Sequence, residues 1–421
     1  MALAGMAGVP PDASGDGNGD SGDGQHDSDI LARSDDTDDE SATDDSADAK
    51  AGEIFSRDGG KLGGGREGGR EKGDGEEGKE EGAELERLRR RRRLNDLVEA
   101  SVARAGEQEC NVAFVKTHKT ASTTLTAVLY RYGVRHGRRV ARFDVEGTAV
   151  TLQHSVEQTK ERGKRVDIFH YHHVWNGFFE SRWDEAQARF GDIMAEPESI
   201  KYVTVLRDPV EHWLSYYYFF FQPETKLGVT EFITSGRFKK RPLKNPLAAE
   251  FGIYNDQDLD DFIVRHLPTF TLVMLTDEID EGLVLLGKIL GWDPIDLTYA
   301  SLLENRDGLV RWDDLPVSRA PKPEDLDNDI LEELERLTYL DSKLYNAAKD
   351  GYAKVRSMYE AGLEESVHEF RELQAEVVSF LEEEPRDSPA RAWYVPESDY
   401  YFYSADSKDW WKEDYPPPLP F

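Results

Sequence analysis

Apolar positions are spread unevenly along the 421-residue chain. Residues 1–82 are dominated by Gly, Asp, Glu and Ser, with very few aliphatic or aromatic side chains. Such a segment cannot bury enough apolar surface to offset its ordering entropy, so it is expected to be a disordered acidic tail. From 83 to 108 the pattern turns helical, with Leu85, Leu88, Leu94, Leu97 and Val98 at near-helical spacing among Glu and Arg. An arginine run, RLRRRRRL over 87–94, lies inside this basic helix or linker. It reads as a solvated helix face flanked by acids, with a nuclear signal or membrane-surface patch as the other reading.

Beyond Asn111 short apolar runs alternate with helical patterns. Residues 111–116 (NVAFVK), 167–171 (DIFHY), 201–206 (KYVTVL) and 270–275 (FTLVML) are short, apolar and rich in β-branched or aromatic residues, as buried strands are. The first leads through a polar turn into a helix with Leu125, Val128, Leu129 and Tyr132 on one face. The third leads into a helix over 210–221 and the fourth into one over 281–290. This order predicts an α/β fold with a central, mostly parallel sheet flanked by helices. Residues 330–355 and 359–381 read as two long helices, packed on the sheet or forming a cap. The globular domain is set at 109–385, a size that supports one large core. Residues 386–421, aromatic, acidic and ending PPPLPF, read as a C-terminal tail.

Charge and cysteine content narrow the function. The formal net charge is −32, which repels a phosphate backbone, so no nucleic-acid partner is expected. Cys110 has no second cysteine to pair with, and a Cys-rich metal site is excluded. No stretch approaches the roughly 20 apolar residues of a bilayer span. The start, MALAGMAGVPP, lacks the basic n-region and apolar length of a signal peptide, so no address for secretion is expected from it.

The chemistry concentrates in two strand-to-helix turns. The first is Lys116-Thr117-His118-Lys119-Thr120-Ala121-Ser122-Thr123-Thr124. Backbone N–H groups at a helix start, together with the helix dipole, make an anion site. The hydroxyls of Thr120, Ser122, Thr123 and Thr124 add donors, Ala121 lets an anion approach, and Lys116 and Lys119 bring positive charge. The glycines of a nucleotide-triphosphate loop are absent, and no acid with clear strand context would hold Mg²⁺. A sulfonucleotide suits the loop better; a capped helix with exposed lysines is the plain structural alternative. At the second turn Arg207 leaves a strand before Asp208 and Pro209, and Ser215 lies on the helix that follows. The two can converge on one phosphate, unless Arg207 instead pairs with Asp208 or Glu211 and residues 216–221 are simply core.

These blocks resemble the Golgi galactose 3-O-sulfotransferases, including the galactosylceramide sulfotransferase, and more distantly the heparan sulfate 2-O-sulfotransferases. The 5′-phosphosulfate loop of that family is similar to Lys116 through Thr124, with Ser122 where some members have Gly. Its 3′-phosphate segment is similar to Leu206-Arg207-Asp208-Pro209 running to Ser215. Asn245-Pro246 to Phe251-Gly252, the stretch from Phe270 to Leu283, and Leu340-Asp341 to Asn346 also look like family sequence. The resemblance covers roughly 111–355. It implies a P-loop-like sulfotransferase fold and 3′-phosphoadenosine 5′-phosphosulfate (PAPS) as donor. It also implies a galactose-containing glycan or glycolipid acceptor and a Golgi location, with membrane association left open. The chain departs from the family in showing neither an anchor nor a disulfide set. Serine at 122 constrains the loop, because a residue with a Cβ takes positive φ at a cost.

An acceptor hydroxyl needs a base within hydrogen-bond reach, and histidine fits that task near neutral pH. His170, His172 and His173 cluster in FHYHHVWN, and His118 sits beside Lys119. The heparan sulfate enzymes carry a similar segment that supplies the base, and His173-Val174 is its best match here. His118 is the other serious candidate, and His172 stays in the set. Zinc is a rival reading of the three clustered histidines, but no ligand-spaced Cys, Asp or further His accompanies them, so no metal is assigned. Tyr171, Trp175, Phe178 and Phe179 are candidates for stacking on sugar, though such residues are more often core. Two other function classes stay open: phosphoryl transfer on the same plan, and an inactive glycan- or nucleotide-binding module.

Overall fold

The computed structural model describes residues 74–143, 149–174, 183–235, 243–300, 309–310, 316–385 and 388–394. Most of the acidic tail, Trp175, Phe178, Phe179 and the end from 395 lie outside these residues. The strands before residue 300 are β1 (Val112–Val115), β2 (Ala149–Thr151), β3 (Ile168–Phe169), β4 (His172–Val174), β5 (Lys201–Leu206) and β6 (Phe270–Leu275). Four of them form one parallel sheet in the order β3-β1-β5-β6. Every β1 residue is buried, as expected of a parallel strand covered on both faces. β2 and β4 pair separately, also in parallel. The expected α/β architecture, a parallel sheet flanked by helices, is the one found.

The helices of ten residues or more are α1 (Asp74–Ala103), α2 (Ser122–Arg135), α3 (Leu152–Arg162), α4 (Trp183–Ile193), α5 (Pro209–Phe220), α6 (Ile279–Leu290), α7 (Asn328–Leu337), α8 (Tyr339–Met358) and α9 (Leu363–Glu383). α2 is buried almost all round, not only on its predicted face. It approaches the sheet edge at Gly133, where an added Cβ would lie 2.1 Å from Val140 Cγ2. The single helix expected over 330–355 is two, divided at Thr338. The break has a distant cause: Asn245 donates its backbone N–H to Leu337 O and accepts the N–H of Leu340 on its side chain, both at 2.9 Å. One residue of another segment thus satisfies both ends of the interruption.

The arginine run is no bare solvated face. Arg87 reaches Glu384 and Arg90 reaches Glu383, each at 2.9 Å, and Arg93 pairs with Glu376. Beneath these pairs Leu94 and Val98 join Val377, Phe380, Leu381 and Tyr394 in a satellite core. The exposed ion pairs add little stability by themselves. Burial of those side chains docks α1 on α9.

Asp341, near the start of α8, is fully buried and accepts the backbone N–H groups of Ala248 at 2.7 Å and Leu247 at 3.4 Å. Burial pushes its pKa up to about 7, against the pull of those two bonds. A carboxyl whose folded pKa lies above its unfolded value binds more protons in the native state between the two. Stability therefore falls as pH rises from about 4 to about 7. Asp341→Asn is expected to flatten this part of the stability profile, read as urea midpoints at pH 4.5 and 7. Parallel profiles for both proteins would show that Asp341 does not carry the effect.

Candidate active site

The chain leaves β1 toward β3 on one side of the sheet and later returns to β5 and β6 on the other. The switch point of this open parallel sheet therefore lies between the C-terminal ends of β1 and β5, where ligands of such sheets bind. Residues 116–121 leave β1 there, and Arg207 leaves β5 beside them. Arg207 Nη1 lies 3.5 Å from Lys119 O. The two turns singled out in the sequence are therefore neighbours.

The first turn is tightly wound. Lys119 and Ala121 both take left-handed backbone conformations, φ 59° and 60°. Ser122 is instead the first residue of α2, so the position at which a Cβ strains the loop is not Ser122 but its neighbours. The loop is held from within: Ser122 Oγ donates to Thr117 O at 2.6 Å, and the Thr117 and Thr120 hydroxyls bond each other at 2.8 Å. Thr117 Oγ1 donates to Val205 O and Thr276 Oγ1 to Thr120 O, which ties the loop to β5 and the end of β6. Thr120 and Ser122 thus shape the loop with their hydroxyls. Thr123 is half-buried, and Thr124 is buried in the first turn of α2. Lys116 is buried behind the loop, where its charge acts on His170. Lys119 is half-buried, with Nζ 3.7 Å from the centre of the Phe219 ring.

α5 supplies the opposite wall. Asp208 caps it by accepting the N–H groups of Val210 and Glu211, with Pro209 in its first turn. Arg207 pairs with Glu211 at 2.8 Å. Ser215 is half-buried one turn beyond Glu211, and Phe219 one turn further, so all three share a helix face with the loop lysine. The adjacent ridge carries His212, Tyr216 and Phe220. The last two stand nearly perpendicular to the His118 ring, at 6.3 and 5.5 Å between centres. The aromatic block is therefore only partly core: Tyr217 is fully buried, while Tyr216, Phe219 and Phe220 line the site.

His118 is the most heavily engaged of the candidate bases. Its Nδ1 lies 2.6 Å from Glu250 Oε1, and its backbone N–H donates to the same oxygen at 3.2 Å. Burial raises the pKa of Glu250, but the His118 charge and hydrogen bonds outweigh it and hold the carboxyl below its usual range. An ionised carboxylate only accepts, so Nδ1–H donates this bond and Nε2 is the ring nitrogen left outside it. His212 Nε2–H donates to His118 O at 2.8 Å; burial draws the His212 pKa down to about 4, so it stays neutral and positions the loop. His172 stacks on His118 with centres 3.8 Å apart and planes 9° from parallel, and its Nδ1–H donates to Lys116 O at 3.2 Å. His170 is fully buried and donates to Ala141 O, with burial drawing its pKa down to about 3. Tyr171 is core, accepting the Phe143 N–H on its hydroxyl. His173 is the middle residue of β4, and its side chain lies outside the described residues.

Donor atoms of His118, His172 and Glu250 lie within 4.8 Å of one another, a set that invites a metal. The ring geometry opposes it. An imidazole binds a metal in its own plane, and two stacked parallel rings share no in-plane point between them. The Nδ1 of His118 is also committed to Glu250. As placed, His118 and Glu250 are joined by a hydrogen bond, and His172 stacks on His118 while donating to Lys116 O.

Glu250 escaped the sequence reading, as did Phe219 and Phe220 as site residues. Glu250 lies 132 positions from His118, and its only local signal was its place inside the block from Asn245 to Gly252.

Fold and site together define an α/β protein with a lysine- and hydroxyl-bearing loop at the switch point of its parallel sheet. The chain belongs to the galactose-3-O-sulfotransferase family, whose family model matches residues 94–390. It is 30% identical over 223 residues to the human (Homo sapiens) galactosylceramide sulfotransferase, covering 48% of this chain and 50% of that protein. It is 30% identical over 216 residues to galactose-3-O-sulfotransferase 3 of Mus musculus (45% of this chain, 47% of that one). Against galactose-3-O-sulfotransferase 2 of the same species it is 29% identical over 213 residues (46% and 52%). The chain spans about half the length of the curated relatives it matches.

Proposed function

We propose that this protein transfers a sulfuryl group from PAPS to a hydroxyl of a galactose-containing glycan or glycolipid. The observation that carries the reading is the meeting of Lys119 and Arg207 at the ends of adjacent parallel strands. Family membership and the printed activities of the relatives support it. The donor set fits PAPS, whose two phosphate-bearing ends need two separate basic sites: the start of α2 with Lys119 for one, Arg207 with Ser215 for the other. When bound, PAPS supplies a sulfuryl group whose bond to the phosphate oxygen breaks as the acceptor oxygen bonds to sulfur.

The residues divide the work. The left-handed turns at Lys119 and Ala121 wind the loop about the α2 N-terminus in a P-loop-like way, aiming N–H groups at the 5′-phosphate. Thr123 and Thr124 add contacts there, and Thr120 and Ser122 hold the curve. Lys119 keeps positive charge where the leaving oxygen becomes negative. Arg207 exchanges Glu211 for the 3′-phosphate, a stronger bidentate partner. His118 takes the acceptor proton on Nε2, and Glu250 stabilises the imidazolium; His172 keeps the ring in plane, and His173 is the competing base. The family points to the Golgi. Among the described residues no helix is long and apolar enough to cross a membrane.

Isothermal titration of the full chain with 3′-phosphoadenosine 5′-phosphate, adenosine 5′-phosphate and ATP–Mg²⁺ tests the donor site. Micromolar binding of the first alone is expected, lost in Arg207→Ala. Glu211→Gln removes the carboxylate competing for Arg207 and should tighten binding severalfold. Preference for ATP–Mg²⁺ would overturn the reading in favour of phosphoryl transfer, and no binding at all would leave an inactive module.

A further inference from the structure

A cleft of about 350 Å³ opens between residues 244–256 and the start of α8, lined by Asn245, Tyr254, Asn255, Asp256, Arg336 and Tyr339 among others. We infer that this cleft holds one or two sugar units of the acceptor glycan next to the unit that reacts. The inference rests on the sulfotransferase reading and gives the acceptor a second point of attachment.

Three observations lead there. Tyr254 and Tyr339 are 48% and 51% exposed, in a fold that buries most of its large aromatic side chains. The Tyr339 ring is also fixed. Its hydroxyl donates to Asp256 Oδ1 at 3.2 Å, the Lys343 ammonium donates to the same oxygen at 2.6 Å, and that ammonium lies 5.2 Å from the ring centre. An aromatic face already held in place stacks on the C–H face of a pyranose with little further loss of side-chain freedom.

The cleft's polar groups suit a neutral polyhydroxyl ligand. Asp256 pairs with Lys343 and Arg336 with Glu333, so these four charges offset one another, and Lys244 leaves the lining only one positive charge in excess. Planar donors remain. Asn245 Oδ1 accepts the Leu340 N–H, which leaves the Asn245 amide hydrogens to face a ligand, and Arg336 grips Glu333 through Nε and Nη2, which leaves Nη1. Such donors in fixed positions match vicinal hydroxyls.

The cleft also shares its framework with the base. Tyr254 is four residues beyond Glu250, so their Cα atoms are at most about 14 Å apart. The same segment is tied to α8 by Asp341 and Asn245. A short oligosaccharide with its terminal galactose at His118 can reach this far.

The test compares the full chain with Tyr254→Ala, Tyr339→Ala and the milder Tyr254→Phe. Sulfuryl transfer is measured to methyl β-galactoside and to a galactose-terminated tetrasaccharide. Saturation-transfer NMR of the tetrasaccharide is recorded on the same proteins. The two alanine variants are expected to raise the tetrasaccharide KM about five- to tenfold relative to that of methyl β-galactoside. Tyr254→Phe keeps the ring and should stay near the parent. Equal KM changes for both acceptors, or none, would overturn the cleft assignment. If the parent transfers no sulfate yet the tetrasaccharide's NMR signal is lost in both alanine variants, the cleft stands and the activity reading fails. An unchanged signal in these variants overturns the cleft whatever the activity.

Discussion

Lys119→Ala is expected to lower turnover by a hundredfold or more, as removal of a group that stabilises developing charge does elsewhere. The argument starts from where the lysine is held. Its backbone takes φ 59°, unfavourable for a residue with a Cβ, and its ammonium sits 3.7 Å over the Phe219 ring. A strained backbone and a cation fixed against an aromatic face both cost stability or freedom, and such costs gather where function requires them. Because the charge on the leaving oxygen grows only as the bond breaks, the loss should fall on kcat more than on the affinity for 3′-phosphoadenosine 5′-phosphate. Lys119→Gly separates charge from backbone, since glycine takes this φ without strain. It should be as inactive as the alanine variant. Phe219→Ala leaves the charge but frees it, and about a tenfold loss is expected. Turnover within threefold of the parent in Lys119→Ala would show that the lysine assignment is wrong.

What the sequence disclosed follows from how local each feature is. β5 and β6 match the expected runs end for end, because a buried parallel strand writes a short, mostly apolar run. The loop from Lys116 to Thr124 was legible because its lysines, hydroxyls and helix start are consecutive. What joins distant residues was not. The arginine run carries no mark of its acids on α9, some 290 positions away. Thr338 interrupts a helix without Gly or Pro, because Asn245 intrudes from elsewhere. Residues 216–221 have a core composition, yet Tyr217, Tyr218 and Phe221 pack with the core of Trp213 and Leu214 while Tyr216, Phe219 and Phe220 meet the loop. Serine at 122 drew attention to loop strain, which the structure places one residue earlier, at Ala121, and at Lys119.

The histidines show the same limit and lead to the second large effect. Composition offered a cluster of three at the end of a strand, but the fold removes His170 into the core and joins His172 to His118 from the first turn. His118 alone among the described histidines of the site has a half-buried carboxylate on Nδ1 and its Nε2 outside that bond. His118→Gly is therefore expected to lower kcat/KM by about 10²- to 10⁴-fold, the range for losing a positioned base. Added imidazole should restore part of the rate. Glu250→Gln preserves the shape and an acceptor for Nδ1–H but removes the charge that favours the imidazolium. A smaller loss, roughly ten- to a hundredfold, is expected from it, with thermal stability near that of the parent. A variant damaged only in folding would lose stability and activity together and would not respond to imidazole. If His173→Gly gives the imidazole-rescued pattern while His118→Gly stays within a few fold of the parent, the base is His173. The His118–Glu250 pair would then be a strut that holds the lysine loop against the segment around Glu250.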